Sequence, residues 1–342
     1  MKNFIKLASL LTALVLLVCG LVACGAGNAP ASTETASTDA PESTVYKVGV
    51  IQYVSHPSLD NCYTGICEGL KAKLGDNVEI KLQTGSDAAA DADCATYAAQ
   101  VVAQDYDLII AIATPAASSA FAAAEDKNTP VVFCAVSDPV AVGLVNTLEA
   151  PGYNCSGTSD VLDMDAQVNL IHAMQPDAKT IGVLYTTSEA NSITQLGHLK
   201  TAAAKQGMEV NAIGIQNDSD IPAAAATLCA SVDCVNNFTD NKVVNNLSVL
   251  LEAANNAGVP VYGSEVEQVK NGCLASVSID YVALGKVTGE MAADALGGAK
   301  LETMAVKTIS DATPVVNTDV LAAFNMTLPA AYSDCEKVTT NK

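Results

Sequence analysis

The feature that most constrains the fold of this chain is an alternation of short apolar runs with longer amphipathic ones. Residues 107–113 read DLIIAIA and residues 130–136 read PVVFCAV, with no polar residue alternating inside the apolar run. Runs of this kind are typical of parallel strands whose two faces are both covered by helices. Longer segments that alternate with such runs, such as 58–74 and 88–104, carry apolar residues at helical spacing. The sequence therefore predicts an α/β fold built on parallel sheets.

The same strand–helix pattern occurs twice along the chain. A first set runs from residue 45 to residue 136, and a second set starts with TIGVLY at 180–185 and ends with a helix at 281–296. Each set has the size of an ordinary domain. We therefore expect two doubly wound parallel-sheet lobes joined by a multi-strand hinge. The expected N-terminal lobe comprises 45–157 plus about 280–310, and the C-terminal lobe 158–279 plus about 311–342.

The N-terminal residues predict export and attachment to a membrane. Lys2 and Lys6 precede a short apolar run, and Leu21-Val22-Ala23-Cys24 resembles the bacterial lipobox. This pattern indicates a lipoprotein signal peptide at 1–23 and lipidation of Cys24 on the extracytoplasmic face of the cell membrane. The alternative is an ordinary signal peptide in which Cys24 is incidental. Residues 24–44 are rich in Ala, Ser, Thr and Pro, which predicts a flexible linker.

The net charge and the cysteine spacings argue against some kinds of partner and of site. The formal net charge is −20, which argues against nucleic acid because phosphate contacts need clustered Lys and Arg. Of the 11 cysteines, Cys19 leaves with the signal and Cys24 is the lipidation site, which gives 11 − 2 = 9 in the body. Their spacings indicate neither a zinc site nor a full disulfide framework, so most are expected to be small buried apolar residues.

Enzyme signatures are missing from the sequence. There is no GxSxG elbow, no Walker A loop, no GxGxxG and no HExxH. The three histidines are scattered and form no pattern with a nucleophile. We expect a binding protein rather than an enzyme, with no cofactor and no metal.

Polar residues follow several of the predicted strands, where open parallel sheets bind ligands. Thr114-Pro115 is expected to cap and open a helix, and a helix N-terminus attracts a carboxylate. Asp138 and Asp240 are candidates to hold an ammonium group, and Tyr53 could cover an apolar part of the ligand. Each has a structural alternative, because such residues also serve as caps, turns or core. His56, before a proline, can equally be a turn residue.

Several segments together resemble the ABC-transporter substrate-binding lipoproteins of the tryptophan/tyrosine-binding type. They are VGVIQYVSHPSLDNCYTGICEGLKAKLGDNVEI, DLIIAIATPAASSAF, PVVFCAVSDPVAVGLV, IGVLYTTSEANS, VNNFTDNKVV and SIDYVALGKVTGEMA. The resemblance implies a type I periplasmic-binding fold that closes on its ligand between the lobes. The ligand-binding residues implied by position are Tyr53, His56, Thr114, Asp138, Ser188, Asn191, Thr239 and Asp240. Ser264-Glu265 and the polar strand at 235–238 depart from the family pattern.

The expected function is that of an extracytoplasmic solute receptor. A small ligand, an amino acid with aromatic ones among the candidates, would be captured in the interlobe cleft and delivered to an ABC permease and ATPase complex. The alternative is a sensor lipoprotein that presents the same ligand to a signalling partner. A DNA-binding regulator of similar fold is disfavoured because the first 44 residues are interpreted as signal and linker.

Overall fold

The computed structural model describes residues 45–309 and 313–341. Two parallel sheets organise this part of the chain, and we call the halves built on them the N-lobe and the C-lobe. Cys24 and the other residues assigned to the signal peptide and linker lie outside the described residues. None of the helices within the described ranges is long and apolar enough to span a membrane.

The N-lobe contains a six-stranded sheet of order β11-β5-β4-β3-β1-β2, parallel throughout. Its central strands are fully buried on both faces, as the unbroken aliphatic runs predict. Its elements are β1 (Tyr46–Gln52), α1 (Pro57–Leu74), β2 (Val78–Thr84), α2 (Ala90–Ala103), β3 (Leu108–Ile112), α3 (Thr114–Ala124), β4 (Val131–Cys134), β5 (Cys155–Ser159), and later in the chain α10 (Tyr281–Leu296) and β11 (Lys307–Thr308).

The C-lobe contains a four-stranded parallel sheet of order β7-β6-β8-β9 and a three-stranded sheet of order β10-β12-β13. In the smaller sheet β10 and β12 are antiparallel. The elements are α4 (Met164–Met174), β6 (Thr180–Thr186), α5 (Ala190–Lys205), β7 (Glu209–Ile215), α6 (Ile221–Cys229), β8 (Cys234–Asn236), α7 (Asn241–Asn245), α8 (Leu247–Ala257), β9 (Val261–Tyr262), α9 (Val266–Lys270), β10 (Ala275–Ser278), β12 (Thr313–Asn317), α11 (Thr318–Ala323) and β13 (Glu336–Val338).

The chain passes between the lobes more than once. It leaves the N-lobe sheet after β5, returns to the N-lobe with α10, and enters the three-stranded sheet with β12. Helix α10 packs along α1 and shares the apolar core of the first sheet, although almost the whole C-lobe precedes it in the sequence. This connectivity confirms the predicted two-lobed α/β fold with a multi-strand hinge.

Two local predictions are wrong. The apolar pattern at 243–257 predicts one helix, but the structure contains α7 and α8 with a break at Asn246, whose side chain donates to the carbonyl of Lys242. Thr114 was expected to cap α3 from outside, but the residue before the helix is Ala113 and Thr114 is already its first residue. The Thr114 hydroxyl is consequently not used as a cap.

Candidate functional site

A narrow cavity lies between the lobes, at the carboxyl ends of their parallel strands. The space among its walls, with the solvent-filled mouth included, is about 350 Å³. The N-lobe wall is formed by the segments that follow β1, β3, β4 and β5, and the C-lobe wall by the segments that follow β6, β8 and β9. The lining residues are His56, Ser58, Leu59, Ala113, Thr114, Ala135, Ser137, Asp160, Asn191, Thr239, Asn241, Val244, Gln268 and Tyr281.

The backbone of the N-lobe wall is strained where it reaches the cavity. Ala113, directly after β3, has a φ of 80°, and Ala135, directly after β4, has a φ of 57°. An alanine in this left-handed region costs roughly 1–3 kcal/mol, a cost that concentrates at functional sites. The bend at Ala113 starts α3 at the cavity wall. The helix N-terminus and the Thr114 hydroxyl therefore both face a site that could hold an anionic group.

Asp160 is the acid in the wall of the cavity. It follows β5, is 3% exposed, and accepts hydrogen bonds from the Ser137 hydroxyl at 2.9 Å and the Tyr281 hydroxyl at 2.8 Å. Burial raises the pKa of Asp160, and the two hydroxyl hydrogen bonds oppose that shift. A cationic group in the cavity would favour the ionised carboxylate, so Asp160 is suited to an ammonium ligand.

A second buried acid, Glu189, accepts hydrogen bonds from two asparagines of the C-lobe wall. One of its oxygens, Oε2, accepts from the side-chain amide of Asn241 at 2.6 Å, from the backbone N–H of Asn241 at 3.1 Å and from the side-chain amide of Asn191 at 3.2 Å. Burial, with a smaller contribution from the nearby Asp240, raises the pKa of Glu189 to about 8. Glu189 is therefore largely neutral near pH 7 and fixes which way both asparagine side chains point.

Three polar atoms in the cavity wall have no hydrogen-bond partner, out of seven such buried side-chain atoms in the described ranges. They are His56 Nδ1, Thr114 Oγ1 and Asn191 Oδ1. The three side chains are between 4% and 8% exposed. Buried polar groups are almost always paired, and each one left unpaired costs about 1–3 kcal/mol. The concentration of unpaired atoms in one small cavity indicates that a polar ligand completes it.

Of the residues proposed from the sequence, four line the cavity and four do not. His56, Thr114, Asn191 and Thr239 line it. Tyr53 is buried and lines a neighbouring crevice, and Ser188 is exposed. Asp138 is half-buried and accepts from the backbone N–H of Ala141, as in its turn alternative.

Asp240 is fully buried and does not line the cavity. It accepts from the Thr186 backbone N–H and hydroxyl, from the Ser192 hydroxyl and from the backbone N–H of Val243, at 2.6–3.1 Å. Because these protein donors fill its acceptor positions, the geometry gives Asp240 a structural role, and the ammonium role fits Asp160 better.

Sequence reasoning missed most of the remaining polar wall. Asp160 follows β5, which reads CSGTS and lacks the aliphatic signature of a strand, so the strand-end rule was not applied there. Ser137 follows the predicted strand at 130–136, but the neighbouring Asp138 was proposed in its place. Tyr281 and Gln268 were missed because each lies at or near the start of a helix that reaches the cleft only through the crossing of the chain between lobes.

Hydrogen bonds cross the cleft and hold the lobes together. His56 Nε2 lies 3.3 Å from Asn241 Oδ1, the Gln195 amide donates to the Ser137 hydroxyl at 3.1 Å, and the Asn245 amide donates to Asp87 at 2.9 Å. Such contacts require that the two walls are in apposition. The structure is therefore a closed form, of the kind that hinge motion of two lobes produces.

Other chemistries find no support in the described part of the chain. No group of three or more His, Cys, Asp or Glu residues there could hold a metal ion. All nine cysteines within residues 45–309 and 313–341 are free, and seven of them are buried, which confirms their prediction as packing residues.

Comparison with solved structures relates this closed geometry to known receptors. The chain is 35% identical to the ABC domain in complex with L-Trp from Streptococcus pneumonia, with a TM-score of 0.82 over 86% of this chain and 100% of that one. It is 38% identical to the ligand-free, open structure of a substrate binding protein with adhesive properties from Clostridium difficile, with a TM-score of 0.66 over 87% of this chain and 100% of that one. The better superposition on the complex agrees with the contacts that cross the cleft.

The sequence comparisons identify the family. A curated relative, the tyrosine-binding protein of Clostridioides difficile strain R20291, is 37% identical over 94% of this chain and 92% of its own length. The family profile described as ABC transporter substrate binding protein matches residues 47–335. Members of this family bind solutes and are not enzymes. With a two-lobed fold, an interlobe cavity lined by unpaired polar atoms, and these matches over nearly the whole body, the chain belongs to the ABC transporter substrate binding protein family.

Proposed function

We propose that this protein is the extracytoplasmic receptor of an ABC importer, that it closes around an aromatic L-amino acid, and that it delivers this ligand to the permease and ATPase complex. The relatives described as tyrosine-binding and as bound to L-Trp support the ligand class. The importer is preferred to a sensor because the matching family profile describes ABC transporter proteins.

The observation that carries the proposal is the set of unpaired polar atoms around the cavity. The Asn191 side-chain nitrogen donates to Glu189 and to the Thr239 carbonyl, so Oδ1 is the atom left facing the cavity and it can only accept. Together with the carboxylate of Asp160, this acceptor suits an ammonium group. The hydroxyl of Thr114 at the start of α3 suits the carboxylate of the same ligand.

The rest of the cavity wall offers apolar surface for the side chain of the ligand. Leu59, Ala113, Ala135 and Val244 contribute apolar surface to the cavity. His56, Ser58, Val244 and Gln268 also line a larger crevice that adjoins it. A zwitterion held at Asp160, Thr114 and Asn191 would therefore extend its side chain toward His56 and Val244, where the cavity meets that crevice.

The proposal includes anchoring and domain limits. Cys24 is the proposed lipidation site, residues 1–23 the signal peptide and residues 24–44 the linker to a body on the outer face of the membrane. The proposed lobes are 45–157 plus about 280–310, and 158–279 plus about 311–342, with Thr158 and Ser159 at the end of β5 still part of the N-lobe sheet. The partners are an amino acid, the permease complex and the membrane, with no nucleic acid.

A thermal-shift screen of the purified full-length chain tests the ligand class. A ligand at 100 times its Kd stabilises the native state by about 2.7 kcal/mol, so L-Tyr and L-Trp should raise the Tm by several degrees. Asp160→Asn should reduce the shift strongly, because the ammonium loses its charged partner. Asp163→Asn, a matched change at an exposed cap, should leave the shift intact. If nucleosides or sugars raise the Tm and no amino acid does, the proposal is wrong.

A further inference from the structure

One ring nitrogen of His56 has a hydrogen-bond partner, and the other has none. His56 is 8% exposed at the point where the cavity meets the adjoining crevice. Nε2 faces Asn241 Oδ1 across the cleft at 3.3 Å, and Nδ1 has no partner. Burial lowers the pKa of His56 to about 4, so the ring is neutral near pH 7 and carries a single N–H. Which nitrogen bears that proton decides what Nδ1 can do.

Glu189 and Asn241 determine which ring nitrogen of His56 carries the proton. Glu189 Oε2 accepts from the Asn241 side-chain nitrogen at 2.6 Å, from the Asn241 backbone N–H and from the Asn191 side-chain nitrogen. Because these three donors fill Oε2, the proton of the neutral carboxyl group lies on Oε1, and Oε2 acts as an acceptor toward Asn241. The Asn241 atom that faces His56 is consequently its oxygen, which can only accept. The proton of the neutral ring therefore lies on Nε2, and Nδ1 presents a lone pair that can only accept a hydrogen bond.

Gln268 also lines both the cavity and the adjoining crevice, but its side-chain oxygen is not available to accept a hydrogen bond from a ligand. Its oxygen accepts from Asn237 and from the Ser264 backbone N–H, and its nitrogen donates to the Phe238 carbonyl. Among the side chains shared by the cavity and the crevice, His56 is the one with an unpaired buried atom. Val244 lies at the same place and offers apolar surface beside it.

We propose that His56 is the specificity-determining residue for the ligand side chain, and that it selects an aromatic ring with a hydrogen-bond donor, a phenol or an indole, over a plain phenyl ring. This inference rests on the proposed function, because it assumes that the zwitterion occupies the end of the cavity at Asp160 and Thr114. A phenol O–H or indole N–H pairs with Nδ1, whereas a phenyl ring buries that lone pair without a partner. Glu189 and Asn241 act as positioning residues, since their hydrogen bonds fix the tautomer of His56.

The test compares two ligands of nearly equal shape. 4-Amino-phenylalanine carries N–H donors at the ring position where 4-methyl-phenylalanine carries a methyl group. The chain contains no tryptophan, and excitation at the red edge of the L-Trp absorption avoids its 10 tyrosines, so the change in L-Trp fluorescence on displacement reports the affinity of each competitor. We expect the amino compound to bind the wild-type protein about 10- to 100-fold more tightly than the methyl compound, and L-Tyr to exceed L-Phe by a similar factor.

The variants separate His56 from general effects on the fold. His56→Leu should bring the ratio of the two affinities close to one, and His56→Asn, which retains a polar group near the position of Nδ1, should restore part of it. His198→Leu is the matched control, because His198 is exposed on α5 and does not line the cavity, and its ratio should equal that of the wild type.

Equal affinity of the two compounds for the wild-type protein would overturn the inference, and so would an unchanged ratio in a folded His56→Leu variant. The wild-type comparison is decisive even if His56→Leu does not fold. If both compounds, L-Tyr and L-Trp all fail to bind, the proposed function itself is wrong. If all bind without discrimination, the proposed function stands and the role of His56 is rejected.

Discussion

Asp240 lies fully buried where the end of β6 and the starts of α5 and α7 meet. Its carboxylate accepts from the backbone N–H and hydroxyl of Thr186, from the hydroxyl of Ser192 and from the backbone N–H of Val243. A carboxylate in this position caps α7 and joins three elements of the C-lobe at once. It holds in place the segment that carries Asn191 and Asn241 into the cavity wall.

Asp240→Ala should therefore destabilise the protein. Buried donors that lose their acceptor cost about 1–3 kcal/mol each, so we expect the free energy of unfolding to fall by about 3 kcal/mol or more in urea denaturation. The control is Asp163→Ala, because Asp163 caps α4 at an exposed position and its loss should cost about 1 kcal/mol. An Asp240→Ala variant with wild-type stability and lost amino-acid affinity would instead support direct contact with the ligand.

The sequence predicts which residues stand at the strand ends but not which of them remain available to a ligand. His56, Thr114, Asn191 and Thr239 could be proposed because the carboxyl ends of parallel strands meet at one edge of the sheet. That Asp240 is saturated depends on Thr186, 54 positions away, and on Ser192. Such long-range hydrogen bonds leave no local pattern in the sequence.

At the scale of elements, α1 and α10 approach each other through glycines. Gly65 and Gly69 of α1 lie against backbone atoms of α10, including the carbonyls of Val282 and Lys286, and Gly285 and Gly289 of α10 lie against the carbonyls of Cys62 and Ile66. A Cβ atom at any of these positions would overlap backbone of the other helix. Close packing of the two helix backbones therefore fixes α10 within the N-lobe.

Gly69→Ala should lower the Tm even though alanine is the better helix former. The added methyl group meets the Lys286 carbonyl, and overpacking of this kind costs roughly 1–3 kcal/mol. Gly197→Ala is the matched control, because Gly197 lies inside α5 with no atom near its added Cβ, and it should gain roughly 0.5–1 kcal/mol. Thermal unfolding that shows the same direction of change in both variants would contradict this account of the helix contact.

The bounds of α10 follow from its sequence, but its packing partner does not. The predicted helix at 281–296 matches Tyr281–Leu296, because its apolar spacing and the Asp280 cap are local signals. The break between α7 and α8 could not be predicted in the same way. Its consequence is that Asn241 and Asn245 of α7 contact His56 and Asp87 of the N-lobe, residues that the sequence places far away.

At the scale of the whole molecule, closure has contributions from the protein as well as from the ligand. The contact of Asn245 with Asp87 lies outside the cavity, where Asp87 is exposed and both residues line a separate crevice. It forms only when the lobes are together, so it stabilises the closed form whether or not a ligand is present. A ligand shifts the same equilibrium by its preference for the closed form, and the two effects add.

Asn245→Ala should therefore accelerate ligand release without changing the cavity. A partly exposed hydrogen bond to a carboxylate contributes about 0.5–1 kcal/mol, so we expect the dissociation rate of L-Trp to rise about 2- to 5-fold while the association rate stays constant. Stopped-flow fluorescence of the ligand measures both rates, since the protein has no tryptophan.

Asp87→Ala should have the same effect on the dissociation rate as Asn245→Ala. The double variant should release the ligand no faster than either single variant, because the two residues share one contact. Asn169→Ala removes an exposed asparagine on α4 whose side chain accepts from Gln206 within the C-lobe, and it should leave both rates at their wild-type values. Additive effects of the two single changes, or a change confined to the association rate, would show that this contact does not hold the lobes closed.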